Sequence, residues 1–138
     1  MYFEEIVSID IKTLLIAEQK IYAHRKEHNS YELLEDHAAL CLKYFHLLVK
    51  EKNLENIFIK FEQMFFPSCA SDLRYLFRKM LLNLFPLHDL GKVAVAFQKI
   101  KMENDLGISL GGNNDTNHSM LGSYLYLDLF LDQVEALQ

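Results

Sequence analysis

A chain of 138 residues and 16.2 kDa is long enough for one domain with a real core and too short for two ordinary ones. Hydrophobic residues make up 51% of it and charged residues 24%, which argues against disorder, while 5 Gly and 2 Pro are too few for a turn-rich sandwich or barrel. A net charge of −5 excludes a protein that holds nucleic acid by a basic surface alone, since that affinity comes from Lys and Arg neutralising phosphates. Positive charge for such a partner must come from a bound metal or from another protein.

The opening is ambiguous. Ile6-Val7-Ser8-Ile9-Asp10-Ile11 is compatible with a short strand and 12–20 with a helix, so it reads as helix or coil. Across 31–50, Leu34, His37, Ala38, Cys41, Phe45 and Leu48 recur at three- and four-residue steps on one helix face, with Asn29 and Ser30 as candidate N-caps. Ile57, Phe58, Phe61, Met64 and Phe65 repeat the pattern over 54–66, which stops at Pro67. Ser71-Asp72 opens a third helix through Leu73, Leu76, Phe77, Met80, Leu81 and Leu84, interrupted by Pro86. Leu90, Val93, Ala94, Phe97 and Ile100 form a fourth helical stretch. The last covers 117–136, with Leu121, Leu125 and Leu129 aligned. Between these two, 107–116 is a polar, glycine-rich surface loop. The pattern predicts an all-α, single-domain helical bundle of about five to seven helices over 1–138.

Cys41 and Cys69 are 28 residues apart with no CxxC, so both read as small hydrophobes in a reducing compartment. The start, Met1-Tyr2-Phe3-Glu4-Glu5, is acidic where a signal peptide would be basic. No apolar run approaches the roughly 18 residues a membrane span needs. A cytoplasmic protein with no membrane partner is expected.

His88-Asp89 is the feature that carries chemistry. An imidazole and a carboxylate on adjacent residues can both reach one divalent ion, and the second carboxylate oxygen is free to bridge to another. His37 lies on the inward stripe of its helix and His118 opens another helix, so three histidines and an aspartate from separate elements can meet inside a bundle. Each also has a plain structural reading: a satisfied core histidine, a helix-end residue, a solvated Lys92. Gly91 would allow close backbone approach beside the site, and Lys92, one turn beyond Asp89, would bring a positive charge to a phosphate.

The run Leu87-His88-Asp89-Leu90-Gly91-Lys92 resembles the signature of the HD superfamily of metal-dependent phosphohydrolases. A wider pattern runs through Tyr22-Ala23-His24, Leu34-Glu35-Asp36-His37, Phe97-Gln98 and Asn117-His118-Ser119 into Gly122-Ser123-Tyr124-Leu125. Over about 21–130 it is similar to the HD nuclease domain of the CRISPR-associated type I interference nuclease-helicase. The resemblance implies an all-helical domain that cuts single-stranded DNA with two divalent transition metals, served by a helicase domain or subunit and a CRISPR effector complex. It implies His37, His88 and Asp89 as ligands of the first metal, with Asp89 bridging to a second that His118 also binds. Lys92 matches the lysine near the scissile phosphate, and His24 matches a histidine of unassigned role. Water would be the nucleophile, with no covalent intermediate. Imidazole-rich ligation suits Mn, Fe, Co, Ni or Zn better than Mg.

The family completes its site with a tandem His-His and an Asp downstream of His118, and no histidine follows His118 here. Asp128 lies ten residues along the same helix, about 15 Å away at 1.5 Å per residue. The resemblance therefore implies a domain cut short, with weak or single-site metal binding and poor DNA cleavage by the isolated chain. Pro86, two residues before His88, is expected to kink its helix. The alternatives are an HD phosphohydrolase acting on nucleotides, or a catalytically impaired interaction module.

Overall fold

The computed structural model describes residues 2–66, 71–112 and 114–137, and Pro67 and Cys69 lie outside them. Four α-helices supply the frame of an all-α domain: α1 (Leu34–Glu51), α2 (Glu55–Phe65), α3 (Ser71–Leu87) and α4 (Ser119–Glu135). A small antiparallel hairpin, β1 (Tyr22–Arg25) and β2 (Tyr31–Leu33), precedes α1. α1 packs along α3, and α4 packs on α3 and on the turn that follows it.

Two apolar clusters hold these elements. In one, Phe45 of α1 stacks on Phe85 of α3 with ring centroids 3.7 Å apart, and Val49, Leu82, Tyr2 and Phe3 close around them. In the other, Ile11, Ile21, Ala23, Leu34, Ala38, Leu87 and Leu90 form the floor beneath the histidine-bearing elements. Each such side chain contributes about 1.5–3 kcal/mol when fully buried. Among the described residues no helix is long and apolar enough to cross a membrane.

Several local expectations are corrected. Residues 31–33 are strand, because Tyr31 and Glu32 pair across to Arg25 and His24, and α1 begins three residues later than its periodicity suggests. Asn29 and Ser30 therefore build the hairpin turn. Asn29 is left-handed (φ 56°) and accepts from Arg25, and Lys26 N–H donates to Ser30 O at 2.8 Å. The opening contains one 3₁₀ turn, Ile11–Leu14, capped by Asp10, in place of a helix over 12–20.

α2 is rotated from its pattern: Phe58 packs on the Tyr2, Phe3 and Phe45 cluster as expected, but Ile57, Phe61, Met64 and Phe65 are exposed, and the buried position is Glu62, one turn from Phe58. In α1 Val49 takes the inward place expected of Leu48. α3 continues through Pro86, which is buried in its last turn. The stretch 90–100 is a 3₁₀ turn, Leu90–Val93, then a π-helical turn, Phe97–Lys101. The loop 107–116 carries left-handed Gly107, Gly111 and Gly112, as its composition suggests.

Buried polar side chains fix the packing. Asn83 accepts from Ile9 N–H at 2.6 Å and donates to Lys79 O, pinning the opening segment to α3. Tyr126 donates to Met80 O at 2.6 Å, joining α4 to α3, and burial pushes its phenol up to about 12. Glu62 takes two hydrogen bonds from Arg78, at 2.7 and 2.8 Å, and one from Tyr2 at 2.6 Å. The Arg78 hydrogen bonds hold the Glu62 carboxyl below its ordinary range, against the opposing effect of burial.

A folded carboxyl held below its unfolded pKa stabilises the protein above the ordinary carboxylate range, and this contribution fades as pH falls through the folded value. Glu62→Gln is therefore expected to lower stability by about 1–3 kcal/mol at neutral pH. Urea unfolding as a function of pH should show that gap narrowing on acidification, and a gap independent of pH would contradict it.

Candidate metal centre

Asp89 sits in the short link between the end of α3 and the 3₁₀ turn, and is only 8% exposed. Four imidazoles and one ammonium surround its carboxylate. On Oδ2 converge Lys92 Nζ at 2.7 Å, His37 Nε2 at 3.3 Å, His88 Nε2 at 3.4 Å and His24 Nε2 at 3.9 Å. His118 Nε2 approaches Oδ1 at 3.7 Å. The four sequence-predicted ligands, His37, His88, Asp89 and His118, are thus brought together from α1, the end of α3 and the start of α4.

Local chemistry orients the rings. His88 Nδ1–H donates to Phe85 O at 2.6 Å, the carbonyl one turn back along α3, so Nε2 is the free atom facing Asp89. His37 Nδ1 lies 3.2 Å from Glu32 Oε2, and a carboxylate at Nδ1 places the proton there and leaves Nε2 toward Asp89. Phe97 meets the His118 ring edge-to-face, with centroids 4.9 Å apart. Residues 118 and 91 are held by backbone contact. A methyl group on Gly91 would drive into the carbonyl oxygen of His118 and come within 2.6 Å of Gly122 N. Only glycine lets α4 start this close to the turn carrying Asp89 and Lys92.

Gln98, fully buried, ties the hairpin to that turn. Its Nε2 donates to Tyr22 O (2.8 Å) and Lys92 O (2.7 Å), and its Oε1 accepts from Tyr22 N–H (3.0 Å) and Asn104 (2.9 Å). Its whole hydrogen-bonding capacity is used, and it pairs with Tyr22 as a neighbouring strand would.

Burial pushes the Asp89 carboxyl up, but Lys92, His88 and His37 outweigh it, and the net pKa is below the ordinary value. His24 is lowered by burial, then by Lys92 and His37, and its Nε2 lies 3.4 Å from Lys92 Nζ. Burial, with Asp89 and Glu32 nearby, pushes the Cys41 thiol up.

Lys92, expected beside Asp89, is 4% exposed and turned inward onto its carboxylate. Two features escape a sequence reading. Glu32, the cross-strand partner of His24, lies beside His37. Cys41, expected as core packing, is half-buried with Sγ 3.5 Å from His37 Nε2. The polar cluster 26–30 between two Tyr-bearing segments is the signal for the hairpin that delivers His24 and Glu32.

Two sets of donor atoms lie close enough together that they could hold an ion: His37, Cys41 and His88, and His24, Glu32 and His37. Separations of 3.3–3.7 Å between Asp89 and the Nε2 atoms of His37, His88 and His118 are long for hydrogen bonds. They are close to the edge of a tetrahedron of ligands around an ion, about 3.3–3.6 Å for bonds of roughly 2.0–2.2 Å. No protein-family model, curated protein or solved structure matches the chain.

Gly91→Ala is expected to cost about 3 kcal/mol through overpacking and to move His118 away from Asp89. Gly122→Ala should cost less, because its methyl would meet Gly91 N at 3.1 Å. Urea unfolding gives the order, and imidazole NMR shifts should report His118 displaced in Gly91→Ala; equal stabilities with unmoved His118 shifts would contradict the contact.

Proposed function

We propose that this chain is a metal-dependent phosphodiesterase domain of the HD type, a nuclease for single-stranded DNA. The observation that carries the reading is the convergence of three imidazole Nε2 atoms on the two oxygens of one buried carboxylate. His37, His88, Asp89 and His118 would hold divalent transition metal, drawn from Mn, Fe, Co, Ni or Zn. Such a metal, when bound, supplies Lewis acidity toward a phosphate oxygen and lowers the pKa of water there.

The rest is the work of the chain. Asp89 faces His37 and His88 with Oδ2, which also accepts from Lys92, and His118 with Oδ1, so a metal held there would share Oδ2 with the Lys92 ammonium. Glu32 and Phe85 O hold the Nδ1 protons of His37 and His88, keeping both rings oriented. Lys92 supplies an ammonium for an anionic phosphate oxygen beside Asp89. The side chains of His24 and His88 are 48% and 45% exposed, and this open rim favours a strand laid across the site over an enclosed nucleotide.

A chain of net charge −5 lacks the cationic surface to hold that strand unaided. This supports delivery of the strand by a partner protein, and the residue pattern implies a helicase domain or subunit and a CRISPR effector complex in the cytoplasm for that part. The type I interference assignment rests on the residue pattern from His24 to Leu125.

The full chain, given Mn(II) or Ni(II), is expected to bind metal weakly or at one site and to cut single-stranded DNA slowly, since the downstream His-His and Asp of the family pattern are not in it. Asp89→Asn and His37→Ala should lose at least about 100-fold of the cleavage, and metal content by elemental analysis should fall with it. Turnover of nucleotides with DNA left intact would shift the substrate class. A purified chain that takes up no metal, with variants matching the parent, would overturn the proposal.

A further inference from the structure

One donor at the site is left out of the ligand set above. Cys41 follows His37 by four residues, so the two side chains lie one turn apart on the same face of α1. Its sulfur belongs to neither apolar cluster. It lies 3.5 Å from His37 Nε2, and the donor atoms of His37, Cys41 and His88 all fall within 4.8 Å of one another. The contact matches the spacings of 3.3 and 3.4 Å from Asp89 Oδ2 to His37 and His88. A sulfur and a nitrogen bonded to one tetrahedral ion, at about 2.3 and 2.0 Å, stand about 3.5 Å apart.

We propose that Cys41 is a metal ligand, sharing an ion with His37 and His88 and making the site selective for thiophilic ions such as Zn(II), Co(II) and Fe(II). This rests on the metal-centre reading of the preceding subsection and narrows it. Imidazole and carboxylate alone leave Mn(II) and Mg(II) as competitors, whereas a thiolate disfavours both. On binding, the S–H bond breaks, the sulfur–metal bond forms and the proton leaves to solvent. Asp89 remains free to use Oδ1 toward His118.

The test is titration of the metal-free full chain with Co(II), followed by optical absorption. The parent should show visible ligand-field bands, which report the ion in the site, together with a near-ultraviolet sulfur-to-cobalt charge-transfer band. Cys41→Ser, and Cys41→Ala as a second variant, should keep the visible bands and lose the charge-transfer band. Zn(II) affinity should fall about tenfold or more, with Mn(II) affinity unchanged. Visible bands without a charge-transfer band in the parent, or a charge-transfer band that survives in both variants, would remove Cys41 from the ligand set and leave the metal centre standing. Absence of visible bands in the parent would overturn the metal centre itself, and this proposal with it.

Discussion

A carboxylate taken out of water has to be met by positive charge or hydrogen-bond donors, because desolvating the ionised group costs several kcal/mol. Asp89 is such a carboxylate. Its neighbours explain most of what is unusual in this chain: a lysine buried to 4% exposure, four imidazoles from separate elements, and a glycine against a helix start. Lys92 supplies the nearest charge, at 2.7 Å. The imidazoles stand further off, at 3.3–3.9 Å, so they ring the carboxylate without clamping it.

The fold brings these groups together by two backbone devices. The first is the approach of Gly91 to Gly122 and the His118 carbonyl, which sets the start of α4 beside the 3₁₀ turn. The second is Gln98, whose amide pairs with Tyr22 and Lys92 and holds the hairpin in place. His24 and Glu32 are cross-strand partners on that hairpin, so one pairing delivers both to His37. The apolar cluster beneath the site serves the same end, since Leu34 and Ala38 seat the start of α1 while Leu87 and Leu90 flank Asp89.

Much of this was legible in the sequence, for physical reasons. His37 falls in register with Leu34, Ala38 and Phe45, so helical period alone turns it inward. The adjacency of His88 and Asp89, and the glycine two residues on, needed no tertiary information. What escaped depends on long-range pairing. The hairpin is short and its strands carry no clean alternation, so 31–33 was absorbed into the helix behind it, and Glu32 was lost with it. In α2 the apolar period is genuine, yet the ion pair of buried Glu62 with Arg78 and its hydrogen bond to Tyr2 rotate the helix so that the side carrying Phe58 and Glu62 faces inward. Pro86 removes one N–H from the last turn of α3, but only Leu87 follows it in the helix, and His88 still reaches Phe85 O.

Anomalous diffraction from crystals grown with Zn(II) addresses the centre most directly. The expected result is a peak within about 2.0–2.3 Å of His37 Nε2, His88 Nε2 and a carboxylate oxygen of Asp89. A structure in which zinc binds elsewhere, with these rings turned to other partners and Lys92 alone on Asp89, would contradict it.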